Sequence, residues 1–288
     1  MVKKVSIIGL GWLGMPLAQA LQRGGIQVVG SKTTPDGVEA ACMCGIDCYL
    51  LNLAPQIICD ADTLDQLMSV DVLILTLPVR GVAGGGEAYV KAVQLVVDTA
   101  LSYSVPRIIF MSSTSVYGSS VGYLNEDEPL CPETESAKAL VVLENWLHQL
   151  PNTSVDILRL AGLVGNGRHA GRFLAGKKAL KGGEDAVNLV HQDDVISAIK
   201  LLIQQPKGGH LFNLCAPIHP KKAVFYPLAS RQLNLTPPEF LQSDSTIIGN
   251  SIIGNSTEIA SKMVDGSRIC RVLGFEYQFP DPGRMPMG

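Results

Sequence analysis

An α/β protein built on a doubly wound parallel sheet, with a small C-terminal substrate lobe beside it, is what this sequence predicts. Two observations carry that expectation. From Val5 to Leu160, short β-rich runs alternate with helical patterns, and such alternation requires crossover connections between parallel strands. A glycine turn, Gly9-Leu10-Gly11-Trp12-Leu13-Gly14, also lies directly between the first run and the first helix. Composition agrees with both: 288 residues, 47% hydrophobic and 17% charged, can build a sizeable core without disulfide or metal staples.

Taken in order, residues 5–8 read as a strand, 16–22 as a helix and 27–30 as a second strand. Residues 36–43 are helical, and 47–52 form a third strand. Asp62 is the expected N-cap of a helix over 64–68. Residues 72–77 are continuously apolar, as a central parallel strand should be, and stop at Pro78. A long helix over 87–103 returns the chain across the sheet. The next repeat gives a strand at 107–111, a helix at 135–150 and a strand at 155–160, with a long loop over 112–134 above the strand end. Residues 1–160 are thus expected to form the first domain, with 188–205 returning to it, and 161–187 with 206–288 the smaller lobe. In that lobe, 187–190 and 211–214 read as strands. Asp193 caps a helix through Leu202, His219-Pro220 leads into a helix to about Leu233, and 267–273 ends at Gly274 as a helix with its C-cap. Residues 247–251 and 252–256 repeat Ile-Ile-Gly-Asn-Ser, a duplication too short for a solenoid.

In the spacing Gly9-x-Gly11-x-x-Gly14, the first two glycines let the backbone turn tightly and approach a pyrophosphate, and the third admits close helix–strand packing. Free N–H groups at the helix start then receive the anion. Trp12 and Leu13 belong to that cradle, and Leu77 and Pro78 at the fourth strand's end complete the expected contacts. The second strand ends in Gly30-Ser31-Lys32-Thr33-Thr34, with no carboxylate until Asp36. NAD sites commonly place an acid there for the ribose diol. Ser31 and Lys32 instead suit a 2′-phosphate, so NADP is the expected cofactor, with NAD the alternative.

Lysine and arginine number 23 against 26 acids, for a net charge of −3. That balance excludes a whole-protein electrostatic grip on nucleic acid or an anionic membrane. The seven cysteines read as reduced thiols of a cytoplasmic protein. Cys42, Cys44 and Cys48 have a spacing a metal could use, but no second close pair follows, so no metal is expected. The apolar stretch 5–17 mimics a signal peptide. Its breaks at Gly9, Gly11, Gly14 and Pro16 are better explained by strand, turn and helix, and no run of 18 apolar residues offers a membrane span.

Ser112-Ser113-Thr114-Ser115-Val116-Tyr117-Gly118 at a strand end, then Arg159, Leu160 and Gly165, residues 188–195, Asn213 and Leu273-Gly274-Phe275 together resemble the short-chain dehydrogenase/reductase superfamily. The likeness is to its extended, atypical NAD(P)-dependent epimerase/dehydratase-like branch, over nearly the whole chain. The resemblance implies a Rossmann-like fold, oxidoreductase or epimerase chemistry on a small molecule, and a homodimer formed through the helices at 87–103 and 135–150. It places Ser113 at the catalytic serine or threonine, donating to the substrate oxygen. Tyr117 enters the candidate site as a pocket wall more than as proton carrier.

The branch also needs a Tyr-x-x-x-Lys pair, in which the lysine lowers the tyrosine pKa. That pair is missing. One register puts Ser136 at the tyrosine position and Leu140 at the lysine position; another rescues Lys138 but sets Thr134 opposite it. Neither hydroxyl has a phenol's acidity. Three readings stay open: altered proton transfer, a different reaction, or a nonenzymatic NADP(H) sensor. Tyr123, His169 and His191 are the candidate replacements, each with an ordinary structural alternative. Arg168 and Arg172, in a basic stretch with Lys177, Lys178 and Lys181, are expected to grip an acidic group of a small substrate, the alternative being a solvated surface.

Overall fold

A computed structural model describes residues 2–53, 57–79, 84–241 and 261–287. The repeated Ile-Ile-Gly-Asn-Ser segments lie outside the described residues.

The chain begins with β1 (Lys4–Ile8), α1 (Gly14–Arg23), β2 (Gln27–Lys32), α2 (Pro35–Met43) and β3 (Asp47–Leu50). β2 runs two residues beyond the expected end, because Ser31 and Lys32 pair with Tyr49 and Leu50 of β3 despite their polarity. Thr34 caps α2 by accepting the Gly37 N–H at 3.2 Å. Next come α3 (Ala61–Met68), β4 (Val72–Leu75), α4 (Gly85–Ser102) and β5 (Arg107–Ser113). The cap of α3 is Asp60 and not Asp62: its carboxylate accepts the Thr63 N–H at 2.7 Å, two residues earlier than expected.

A 3-10 turn over Thr114–Tyr117 leads to β6 (Gly122–Leu124), α5 (Glu135–Leu147) and β7 (Ser154–Leu160). Then follow β8 (Gly162–Val164), α6 (Gly171–Leu174), β9 (Leu189–His191), α7 (Gln192–Gln204) and β10 (Leu211–Leu214). α8 (Lys222–Gln232), β11 (Lys262–Val264) and α9 (Arg268–Leu273) complete the chain. Gly274 ends α9 in the left-handed conformation, φ +67°, as a C-cap glycine should.

The main sheet has the order β10-β7-β5-β4-β1-β2-β3. Its pairings β1 with β2 and β4, β2 with β3, and β5 with β4 and β7 are all parallel. The chain winds outward from β1 through β2 to β3, then returns to β4 on β1's other side. That reversal is the topological switch point at which such sheets bind ligands. β4 and most of β1 and β5 are buried on both faces, which explains their unbroken apolar sequence.

Contacts divide the chain into two compact units. The first holds residues 1–118, 130–160 and 195–212, with the main sheet up to the first half of β10, and α1 to α5. The second holds 119–129, 161–194 and 213–288. It contains two small parallel pairs, β8 with β9 and β6 with β11, and a core that includes Val164, Leu189, Phe225, Ala229 and Met285.

Candidate active site

The first unit opens a cleft of about 630 Å³ at the switch point. Ile8 to Gly11 follow β1 on one side, Thr76, Leu77 and Pro78 follow β4 on the other, and Ser31, Lys32 and Thr33 close the end. Leu51, Asn52, Leu53 and Ile58 add a largely apolar wall.

The glycines divide the work. Gly9 takes φ +105°, a conformation open to glycine and strained for other residues. A Cβ on Gly14 would lie 2.3 Å from the Gly9 carbonyl oxygen, so only glycine lets α1 start this close to the turn. A Cβ on Gly11 would meet no atom within 4 Å: the space above it is free for a ligand. Thr76 fixes the turn by donating to the Gly9 carbonyl at 2.6 Å. No acidic side chain occupies the first turn of α1, which leaves the positive end of its dipole for an anion. These residues fit a dinucleotide, with the pyrophosphate at Gly11 and α1.

Of the other expected cofactor residues, Leu77, Pro78 and Lys32 line the cleft, and Lys32 is half-buried. Ser31 lines it too and also braces the turn. Only 3% exposed, its hydroxyl accepts the Gly9 N–H at 3.3 Å. Leu13 is the N-cap residue of α1, and Trp12 beside it is half-buried.

Ser113 ends β5, half-buried, and its hydroxyl accepts the Ser115 N–H at 3.1 Å. Accepting there leaves its own proton to be donated. Ser136 is half-buried in the first turn of α5. Thr134 is the N-cap of that helix, its hydroxyl accepting from Ala137 at 3.1 Å, and Lys138 is exposed and paired with Glu135. Leu140 is 4% exposed. In the register that sets Ser136 at the tyrosine, the lysine position is thus a buried alkyl side chain; in the other it is the exposed Lys138.

Tyr117 has no exposed surface. Arg159 donates to its hydroxyl at 2.8 Å, the guanidinium lying 5.2 Å from the ring centroid, so this phenol sits in a packed layer below the strand end. The same arginine forms a buried pair with Glu144, Nη2 to Oε2 2.7 Å and Nε to Oε2 3.1 Å. Ser112 donates to the other carboxylate oxygen at 2.5 Å. Burial disfavours the guanidinium's charge, but hydrogen bonding and attraction from Glu144 outweigh it and hold the Arg159 pKa above its ordinary value. Sequence reasoning missed this network. Its one trace was a pair of opposite charges, Glu144 and Arg159, each with apolar neighbours in its element.

The remaining candidates lie in the second unit. His191 is 3% exposed; Nδ1 accepts from the Asp193 N–H, so Nε2 donates to the Pro286 carbonyl at 2.7 Å. His169 accepts from Gly171 at 3.0 Å, and burial pushes its pKa down. Tyr123 is 60% exposed on β6. Arg168 and Arg172 are both exposed, at and just before α6. Cys42 and Cys44 are exposed, and burial pushes the Cys48 thiol up to about 11. Among the described residues no group of three or more His, Cys, Asp or Glu side chains is placed to hold a metal, and no helix is long and apolar enough to cross a membrane.

The model of the NAD dependent epimerase/dehydratase family matches residues 5–215. The chain belongs to that family. A relative, "Protein YeeZ" of Escherichia coli strain K12, is 58% identical over 286 residues, 99% of this chain and 100% of the other. A conserved protein of unknown function from Silicibacter pomeroyi shares the fold with a TM-score of 0.74 at 21% identity, over 98% of this chain and 95% of that one. UDP-glucuronic acid 4-epimerase from Bacillus cereus, solved in complex with NAD, aligns with a TM-score of 0.72 at 17% identity, over 97% and 95%. Family membership and the shared fold agree with the resemblance carried by the glycine turn and the Ser112–Gly118 segment.

Proposed function

We propose that the protein binds NADP(H) in the glycine cleft and converts a small acidic metabolite by oxidoreductase or epimerase/dehydratase-type chemistry. The observation that carries this reading is the cleft itself: a dinucleotide-sized space over the ends of β1 and β4, walled by the glycine turn and rimmed by Lys32. Among the described residues its lining holds no carboxylate, which favours a 2′-phosphate over the bare ribose diol; the Bacillus cereus neighbour was solved with NAD, so the preference rests on Lys32. Lys32→Ala is expected to weaken NADP about tenfold or more, the worth of one charge-assisted contact of roughly 1.5–3 kcal/mol, and to leave NAD unchanged. Calorimetric titration of both nucleotides checks it. Equal losses, or an initial preference for NAD, reject the assignment.

The bound nicotinamide supplies a hydride donor or acceptor. Gly9, Gly11 and Gly14 hold the nucleotide, and Ser113 donates its hydroxyl proton toward a substrate oxygen as charge develops there. Ser136 stands in the tyrosine position with an alcohol's acidity, so it orients and does not ionise. Screening the cofactor-loaded protein against metabolite pools identifies the substrate. Ser113→Ala is then expected to lower kcat/KM about tenfold or more at unchanged NADP affinity. Arg168→Ala or Arg172→Ala is expected to raise KM with kcat held. Turnover indifferent to Ser113→Ala removes that residue from the mechanism.

The second reading is a nonenzymatic NADP(H) sensor, favoured by buried Leu140 in the lysine position. Retained NADP binding with no turnover of any captured metabolite selects it.

A further inference from the structure

α8 buries Phe225, Ala229 and Ser230, as a helix packed on one side should. Its outer face is apolar as well. Val224 and Leu228, one turn apart, are 55% and 54% exposed, and Arg231 continues the same stripe. A cavity of about 580 Å³ lies on one side of the Leu228–Arg231 ridge, walled by Val224, Pro227, Pro237 and Pro238. A second, of about 450 Å³, lies on the other side, walled by Phe225, Gln232, Pro282 and Met287. Both cavities share Leu228 and Arg231, and all these residues belong to the second unit.

The surroundings are basic, against the sign of the whole chain. The 176–183 segment runs alongside 236–241 through Gly176 N to Thr236 O at 2.8 Å, Glu239 N to Lys177 O at 2.9 Å and Leu241 N to Leu180 O at 2.8 Å. Ala223 N to Gly183 O, 2.8 Å, ties that segment to the start of α8. This module carries Lys177, Lys178, Lys181, Lys221, Lys222 and Arg231, with Glu184, Asp185 and Glu239 as its acids. Each acid is taken by one lysine: Lys178 by Glu239, Lys221 by Glu184, Lys222 by Asp185. Lys177, Lys181 and Arg231 form no ion pair among the described residues.

We infer that this face docks an acidic peptide segment of a protein partner, with one apolar side chain in each cavity and a carboxylate between them on Arg231. The concavity decides the class of partner: two cavities separated by one ridge match spaced side chains of a peptide, whereas a lipid surface needs a convex apolar face. The three remaining cations give the complementary sign and speed encounter. Val224 and Leu228 add exposed apolar surface at the rim of the two cavities.

Selection from a random-peptide display library, with the full chain loaded with NADP as bait, tests the inference. Enrichment of acidic sequences carrying two spaced apolar residues is expected. Synthetic peptides from that pool should lose about tenfold or more in affinity to Leu228→Asp and to Arg231→Glu, while the circular dichroism spectrum and thermal unfolding profile of both variants stay at the wild-type value and report that they fold. Three results overturn the inference: no enrichment, enriched peptides insensitive to both substitutions, or peptides that bind equally well after their apolar residues become serine. Binding to anionic phosphatidylserine vesicles without peptide enrichment overturns it in favour of a membrane surface.

Discussion

Glu144→Ala is expected to destabilise the first unit by about 3–5 kcal/mol, the usual result of leaving one member of a buried ion pair without its counterpart. Glu144 is 1% exposed and Arg159 3%; the substitution leaves a buried guanidinium facing a cavity and removes the acceptor of Ser112. The double variant Glu144→Leu with Arg159→Met should recover most of the loss, because two apolar side chains of similar volume need no desolvation of charge. Urea unfolding followed by tryptophan fluorescence, arranged as a double-mutant cycle, measures both. A loss under about 1 kcal/mol for Glu144→Ala, or a double variant no more stable than the single one, shows that the pair contributes little beyond packing.

Two alanines in the glycine turn should separate folding from binding. Gly14→Ala places a methyl group 2.3 Å from a backbone oxygen, and neither α1 nor the turn moves without disturbing β1. The expected cost is roughly 1–3 kcal/mol or more, with dinucleotide affinity lost alongside. Gly11→Ala meets nothing in the protein. It should leave the Tm within about a degree, because a surface substitution away from strain costs little, yet lower affinity at least about tenfold by filling the pyrophosphate's space. Thermal unfolding and calorimetry on the two variants check the contrast. Equal behaviour in both assays denies the division of labour between Gly9 with Gly14 and Gly11.

The glycine turn was legible in the sequence because its spacing follows from backbone geometry, which is local. β4 and the body of β5 were legible because burial on both faces leaves a short apolar run, rich in β-branched residues, between turn residues. Ser31 and Lys32 were read as the loop past β2, since their polarity hides that β3 pairs with them. Asp62 displaced Asp60 as the expected cap because both are acids before the same helix, and only backbone direction tells them apart. β8 was missed altogether: Gly162-Leu163-Val164 is too short to show alternation, and its partner β9 lies far along the chain. Ser113 was singled out from a motif, whereas the Ser112–Glu144–Arg159–Tyr117 network joins a helix and two strands that only folding brings together.

Leu140 bears on how readily this chain could acquire the Tyr-x-x-x-Lys pair that its resemblance implies. At 4% exposure, the position would receive a lysine as an unpaired buried ammonium unless a tyrosine already stood at 136 with the nucleotide in place, and burying a lone charge is costly. A tyrosine arriving first at 136 would lack the cation that lowers its pKa, and so would gain no function for selection to keep. In the register that sets Ser136 at the tyrosine, each substitution alone carries its cost without the benefit of the pair. Hydrocarbon packed into this slot thus works against a stepwise gain of the tyrosine–lysine relay, and leaves proton transfer to the hydroxyls already there.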